Sequence, residues 1–308
     1  MQKLKVIVIL GQTSTGKSDL AVKIAKKVNG EVISADSRQV YKGLDLGTGK
    51  ITRREMQGVP HHLLDVASPK KRFSVAEYKK LADQKIKEII ARGKIPIICG
   101  GTGLYIDAVV NGIIFPEVPP NDKLRKQLTQ KSAIALFQVL KKLDKNRAKN
   151  IDPKNKVRLI RAIEIAKFLG KVPKITEVKP LYDFIKIGLY LPVDILKEKI
   201  SIRLFARIRA GMITEAKNLH KNGLSWKRME ELGLEYRQLA LYLQKKISKQ
   251  KMIEKLNSEI YKYAKRQMTW FKKDKEIKWF DVDKSFNKLC DIINLCKQHQ
   301  YQTMKKKD

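Results

Sequence analysis

GQTSTGKS at residues 11–18 fits the pattern G-x-x-x-x-G-K-[ST], and it directly follows an apolar run at residues 6–10. In that order, a buried strand delivers the chain to a glycine-rich turn whose backbone N–H groups point at an anion. Residues 19–28 then carry apolar side chains at helical spacing, and Asn29-Gly30 ends the segment. The turn would therefore lie at a helix N-terminus, where unpaired N–H groups and the helix dipole favour a phosphate or pyrophosphate group.

All eight residues of this loop are candidate phosphate ligands. They are Gly11, Gln12, Thr13, Ser14, Thr15, Gly16, Lys17 and Ser18. Lys17 adds a mobile positive charge, and the Ser18 hydroxyl can hold a metal ion. We therefore expect Mg²⁺ as the cofactor, with Ser18 as its protein ligand.

The net charge of the chain is strongly positive. Lys and Arg number 66 against 31 Asp and Glu, which gives a formal net charge of +35. Such a field attracts polyanions, so nucleic acid is the leading candidate partner. A lysine-rich proteome would also raise the charge, because lysine far outnumbers arginine here.

Cysteine usage and the N-terminal segment bear on the cellular compartment. Cys99, Cys290 and Cys296 show no C-x-x-C spacing, which indicates a reduced, cytoplasmic environment. The apolar run near the N-terminus is too short to span a membrane and leads into the glycine-rich loop. We therefore expect a strand there, and no membrane partner.

Further along, the pattern alternates helices with apolar strands. A capping box at residues 74–77 opens an amphipathic helix, residues 95–99 form another apolar strand, and GGTG follows at 100–103. The alternation predicts an α/β fold, with a P-loop NTPase-like parallel sheet flanked by helices. Ligands of such sheets collect at the carboxyl ends of the strands. The glycine-rich loop, Asp36 and Thr102 should therefore share one site.

A second domain is indicated by a change of pattern near residues 115–120. The sequence beyond it is helical and basic to about residue 170, and strand signals return only around residues 184–191. We predict an all-helical insertion domain at residues 116–178. The P-loop α/β core domain would then consist of residues 1–115 and 179–308.

Two single polar side chains and one arginine pair outside the loop are candidates for chemistry, and each has a plainer alternative. Asp36 can hold Mg²⁺ through water or accept a proton, but it can equally cap a helix. Thr102 offers a hydroxyl beside a second glycine turn, or the turn is only a tight connection. Arg203 and Arg207 share one helix face, where one can stabilise a leaving phosphate or both can simply be solvated.

Two segments mix basic with aromatic or apolar residues: VRLIR at 157–161 and YKYAKRQMTWF at 261–271. Basic side chains can hold an RNA backbone while aromatic rings stack on splayed bases. The helical spacing of the aromatics also fits ordinary core packing. We expect the aromatics mostly inside and the basic residues partly on RNA.

Together these segments resemble the tRNA dimethylallyltransferase (tRNA isopentenyltransferase) family, in its bacterial form. The resemblance covers residues 3–282, although GLEYR at 233–237 stands where many members have Gly-Tyr-[Lys/Arg]. The matching segments are GQTSTGKS at 11–18, SADSRQVYKGLDLGTGK at 34–50, PHHLLD at 60–65, GGTGLYIDAVVNG at 100–112, RLIRAIE at 158–164 and YAKRQMTWF at 263–271.

The resemblance implies transfer of the dimethylallyl group from dimethylallyl diphosphate to N6 of the adenosine 3′-adjacent to the anticodon in tRNA, releasing diphosphate. It implies four catalytic residues: Lys17 as a point charge, Asp36 as acceptor of the N6 proton, and Thr102 and Arg203 as diphosphate ligands. The implied tRNA contacts, in the core and in the insertion, are Asp36, Ser37, Arg38, Gln39, Arg125, Val157, Arg158, Leu159, Ile160, Arg161, Lys265, Arg266 and Gln267. A monomer that binds the anticodon stem-loop is expected.

Three other functions remain open on the sequence. A P-loop kinase of a small molecule or nucleotide would explain the loop but not the basic insertion. An adenylate isopentenyltransferase acting on free AMP or ATP would not need the basic 157–161 segment. An RNA-binding protein with a relic P-loop is disfavoured because Lys17 and Ser18 are intact.

Overall fold

The computed structural model describes residues 4–174, 176–178 and 181–282. The described strands, in chain order, are β1 (Lys5–Gly11), β2 (Gly30–Ser34), β3 (His61–His62), β4 (Ile95–Gly100), β5 (Ile113–Ile114), β6 (Thr176–Glu177), β7 (Asp183–Tyr190) and β8 (Lys278–Asp281). The described helices are α1 (Lys17–Val28), α2 (Arg53–Met56), α3 (Val75–Ala91), α4 (Gly103–Val110), α5 (Asp122–Thr129), α6 (Ala133–Leu143), α7 (Lys145–Lys149), α8 (Lys156–Leu169), α9 (Val193–Arg209), α10 (Met212–Lys221), α11 (Trp226–Leu232), α12 (Leu234–Leu243) and α13 (Lys249–Phe271). Within these ranges no helix combines the length and apolar character that a membrane span requires.

A parallel six-stranded sheet organises the larger part of the molecule. Its strand order is β3-β2-β4-β1-β7-β8, and every neighbouring pair runs parallel. Strand β1 is apolar throughout its centre because both of its faces are covered: Val6, Val8 and Leu10 pack into one core cluster, and Ile7 and Ile9 into another. The predicted P-loop-like α/β fold is confirmed.

The chain divides into two compact units, one made of Met1–Asn111 and Lys179–Asp308 and the other of Gly112–Val178. The second unit begins before the predicted boundary at residue 116 because the entering chain pairs with the returning chain. Strands β5 and β6 are antiparallel, and the Val178 N–H donates to the Gly112 carbonyl at 3.3 Å. The prediction of an all-helical insertion is therefore wrong, since the insertion also contains this strand pair.

Helices α5 to α8 give the insertion a hydrophobic core of its own. Leu136, Leu140, Leu159 and Ile163 are completely buried within it. Leu159 was predicted to contact tRNA, but its side chain faces this core, so that assignment is corrected. The Leu159 side chain stabilises the insertion, whose surface carries the exposed Val157 and Arg158.

Candidate active site

The P-loop joins β1 to α1, and its two glycines are required by geometry. Gly11 has φ 138°, and a Cβ there would lie 2.2 Å from the Leu189 carbonyl oxygen. Gly16 occupies the N-cap position of α1 with φ 78°, and no side chain caps the helix. The first N–H groups of α1 are therefore left for a ligand.

Side chains within the loop hold its shape. Gln12 and Thr15 are buried, and the Thr15 hydroxyl donates to the Gln12 carbonyl at 2.8 Å. The Lys17 ammonium also donates to the Gln12 carbonyl. Gln12 and Thr15 can thus contribute to phosphate binding through their backbone, while Lys17 is folded back onto the loop.

The pKa of Lys17 is lowered well below the ordinary value for a lysine. Burial is the main cause that lowers its pKa to about 8, Arg203 lowers it further, and Asp36 opposes the change. An anion bound here would stabilise the protonated form that burial disfavours.

Asp36 and Thr102 follow strands β2 and β4, which are neighbours, and hydrogen bonds tie the two strand ends together. The Thr102 N–H donates to the Ala35 carbonyl at 3.1 Å, and the Ser37 N–H donates to the Thr102 hydroxyl at 3.0 Å. Asp36 Oδ1 accepts the N–H groups of Arg38 and Gln39 at 2.8 and 3.3 Å. This turn fixes the Asp36 carboxylate. Within the described residues, no hydrogen bond engages its Oδ2.

Arg203 and Arg207 share a face of α9 but have different surroundings. Arg207 is largely buried and donates to the Gly47 carbonyl and to Glu235. Arg203 Nη2 donates to the Gly49 carbonyl at 2.9 Å, and its side chain stays exposed to solvent. Surrounding protein, and then Arg207, lower the pKa of Arg203. Arg203 is therefore the one of the pair with charge to offer a ligand.

Helix α13 presents two different faces. Lys265 and Arg266 are exposed, as the RNA-contact prediction requires. Gln267, predicted to contact tRNA as well, is 5% exposed and bonded to the two glycine turns. Its assignment as an RNA contact is corrected, because the side chain points into the core unit.

Two predicted tRNA ligands of the insertion are engaged by a buried carboxylate. Arg125 donates to both oxygens of Glu164 at 2.9 Å, and Arg161 donates to Glu164 and to the Val118 carbonyl. Burial would raise the pKa of Glu164, but the Arg125 hydrogen bonds and those of the Asn121 N–H and Arg161 lower it overall. The main role of Arg125 and Arg161 is therefore to pair with the buried Glu164 carboxylate and stabilise the insertion. Val157 and Arg158 remain exposed, and Ile160 is partly buried.

Sequence reasoning missed Glu215, which organises the loop beside Arg203. Its carboxylate accepts the backbone N–H groups of Asp45, Leu46 and Gly47 at 2.7 to 3.0 Å, and the Tyr236 hydroxyl at 2.7 Å. Tyr236 belongs to the GLEYR segment, where this chain departs from the Gly-Tyr-[Lys/Arg] pattern of many family members. A lone glutamate in a helical pattern gives no signal of this role.

The donors near the loop fit Mg²⁺ better than a metal caged by the protein. Ser18 is exposed at the start of α1, and no group of three or more His, Cys, Asp or Glu in the described residues could hold a metal ion. Mg²⁺ commonly binds through one or two protein oxygens, waters and substrate phosphates. The site therefore fits a Mg²⁺ ion that is carried largely by a diphosphate.

The site combines a P-loop at the carboxyl edge of a parallel sheet with a fixed carboxylate and an exposed arginine. This combination is typical of an enzyme that binds a phosphorylated substrate and catalyses its reaction at that edge. The model of the family "IPP transferase" matches residues 39–274. The chain belongs to the IPP transferase family.

Relatives and solved structures agree with this assignment. The chain is 42% identical to a tRNA dimethylallyltransferase of Caldanaerobacter subterraneus subsp. tengcongensis, over 94% of this chain and 96% of that protein. It resembles the full-length tRNA isopentenylpyrophosphate transferase of Bacillus halodurans with a TM-score of 0.74 and 37% identity, covering 99% of both chains. A eukaryotic dimethylallyltransferase acting on tRNA matches with a TM-score of 0.79 and 27% identity, over 91% of this chain and 74% of that one.

Proposed function

We propose that this protein transfers the dimethylallyl group of dimethylallyl diphosphate to N6 of the adenosine that follows the anticodon in tRNA. The observation that carries the proposal is that the anion-binding loop after β1 and the fixed Asp36 carboxylate after β2 lie on the same carboxyl edge of the sheet, with only β4 between them. The names of the relatives give the transferred dimethylallyl group and the tRNA acceptor, and the diphosphate donor is part of the proposal. The chemistry below follows from the residues of this chain.

At the leaving-group end, the protein neutralises a diphosphate. Loop N–H groups, the Lys17 ammonium and the Arg203 guanidinium would bind the diphosphate, on which negative charge grows as the allylic C–O bond breaks. Bound Mg²⁺, held by the Ser18 hydroxyl, would neutralise further charge on the same group. The electron pair of the broken bond leaves with the diphosphate.

At the acceptor end, Asp36 would orient and deprotonate the adenine. The exocyclic N6 forms a bond to the allylic carbon, and its proton passes to the unengaged oxygen of Asp36. The Tyr263 hydroxyl donates to the Gly101 carbonyl at 3.5 Å, and burial raises the pKa of Tyr263, so that this phenol stays neutral beside the reacting groups. The target base must leave its stack, which costs least in a loop such as that of the anticodon.

The exposed basic residues support a tRNA partner. Arg158 on the insertion, and Lys265 and Arg266 on α13, are exposed to solvent, and the two α13 cations lie over the Tyr261 and Tyr263 rings. Such residues bind phosphates and give affinity that falls with salt. We further propose that the enzyme acts as a monomer in the cytoplasm, where its tRNA substrate is used.

The test combines the protein with Mg²⁺, dimethylallyl diphosphate and an unmodified tRNA that has adenosine after the anticodon. Digested nucleosides are then weighed by mass spectrometry, with AMP and ATP as parallel acceptors. Prenylation of that adenosine supports the proposal. Prenylated AMP or ATP without tRNA product would assign free nucleotide as the substrate, and phosphate transfer from ATP without prenylation would replace the proposal with a kinase.

A further inference from the structure

The Gln267 side chain bridges the two glycine turns of the core unit. Its Oε1 accepts the N–H of Thr13 in the P-loop at 2.8 Å, and its Nε2 donates to the Gly101 carbonyl at 2.9 Å. Both bonds lie in the interior, since the side chain is 5% exposed. Gln12 Nε2 adds a longer contact of 3.4 Å to the Ala264 carbonyl on the same helix.

The bridge depends on residue choice at both ends. A Cβ at Gly101 would lie 2.1 Å from Gln267 Nε2, so a larger residue there would push the amide out of its observed position. A glutamine is needed opposite, because one end must accept a hydrogen bond and the other must donate one. The bridge thus ties α13 directly to the P-loop and to the second glycine turn.

The bridge removes one donor from the phosphate cradle. Thr13 belongs to the strand side of the loop, whereas Gly16, Lys17 and Ser18 form the helix side. A phosphate on the helix N-terminus uses the latter N–H groups and the lysine. A third phosphate extending toward the strand side would meet a Thr13 N–H that is already bonded to the Gln267 amide.

We infer that Gln267 is a specificity-determining residue, which closes the P-loop on its strand side so that the site accepts a diphosphate and rejects a triphosphate. The inference rests on the proposed function, in which the substrate is an allylic diphosphate. It explains how a loop pattern shared with triphosphate-binding proteins serves a shorter anion. Charge alone would favour the triphosphate, because it is the more negative ligand.

Calorimetric titration with inorganic pyrophosphate and with tripolyphosphate, both with Mg²⁺, tests the inference without any prenyl transfer. The wild-type protein should bind pyrophosphate at least tenfold more tightly. Gln267→Ala frees the Thr13 N–H and the space beside it, so the preference should fall by about tenfold, the effect of one hydrogen bond to a charged group. Gln267→Met frees the N–H but keeps most of the bulk, and its preference should lie between the two.

Gln238→Ala is the matched control, since Gln238 is 3% exposed and donates to Glu259 in the same unit. Its ligand preference should equal that of the wild type. Equal wild-type affinity for both probes, or an unchanged preference in the Gln267 variants, overturns the inference. If Gln267→Ala fails to fold by thermal melting, Gln267→Met decides alone by the same criterion. Prenylation of tRNA, measured separately, reports on the proposed function itself.

Discussion

Replacing Lys17 by methionine should stabilise the free protein while destroying its anion site. The lysine is held beside the P-loop with its pKa lowered from 10.5 to about 8, chiefly by burial. A depressed lysine pKa means that the folded protein disfavours the charged form that the unfolded chain accepts freely. Methionine fills a similar volume without the charge.

The size of the effect follows from that pKa. A drop from 10.5 to about 8 corresponds to about 3 kcal/mol of unfavourable interaction in the protonated form. Losing the bond from Lys17 to the Gln12 carbonyl costs about 1–2 kcal/mol. The free energy of unfolding of Lys17→Met should therefore exceed that of the wild type by about 1–2 kcal/mol at pH 7.

The stability difference between Lys17→Met and the wild type should depend on pH. The unfavourable interaction is fully present below pH 8, because both states are then protonated. It is lost as the pH rises from about 8 toward 10.5, because the folded protein releases its proton first. The advantage of the variant should therefore vanish by about pH 9.5.

Urea unfolding at pH 7 and pH 9.5, each with and without pyrophosphate, measures both effects. Pyrophosphate should stabilise the wild type strongly and Lys17→Met little, since the charge that binds it is gone. Lys27→Met, which removes an exposed lysine from the same helix, controls for net charge. A Lys17→Met variant that is no more stable than the wild type at pH 7 would refute the reasoning.

Three further predictions concern other parts of the molecule. Asp36→Asn should lower single-turnover prenyl transfer by about 10²–10⁴-fold with unchanged tRNA affinity, measured by filter binding. Glu164→Ala should destabilise the insertion by about 3–5 kcal/mol in thermal unfolding, since Arg125 and Arg161 would lose their buried partner. Arg158→Ala should weaken tRNA binding and reduce its salt slope by about one, and an unchanged slope would exclude a phosphate contact.

The fold could be predicted from the sequence because its signals are local and ordered. The apolar run before Gly11 and the helical spacing after Lys17 both lie within a few residues of the loop. A parallel sheet then follows from the alternation of strands and helices, and its carboxyl edge brings Asp36 and Thr102 near the loop. Each of these steps needs only sequence neighbours and a general rule of sheet topology.

The misassigned residues fail for one physical reason: sequence patterns do not show which face of a helix is covered. Leu159 stands between exposed Arg158 and partly buried Ile160, and only packing of α8 tells them apart. Gln267 looked like part of a basic triplet, yet its two predecessors face solvent while it faces the P-loop. A buried glutamine beside two exposed cations is what a helix turn of 100° per residue produces.

Helix α13 connects the two ends of the proposed reaction. Its inner face bonds the P-loop through Gln267 and reaches the Gly101 carbonyl through Tyr263, while Lys265 and Arg266 stand on its outer face. A 23-residue helix packed in this core is a rigid element, so tRNA held by its outer face would be placed at a fixed distance from the diphosphate held by its inner face. Alkylation needs such registration, because the reacting nitrogen and carbon must approach within about 3–3.5 Å. The same helix can thus bind one substrate and position the other.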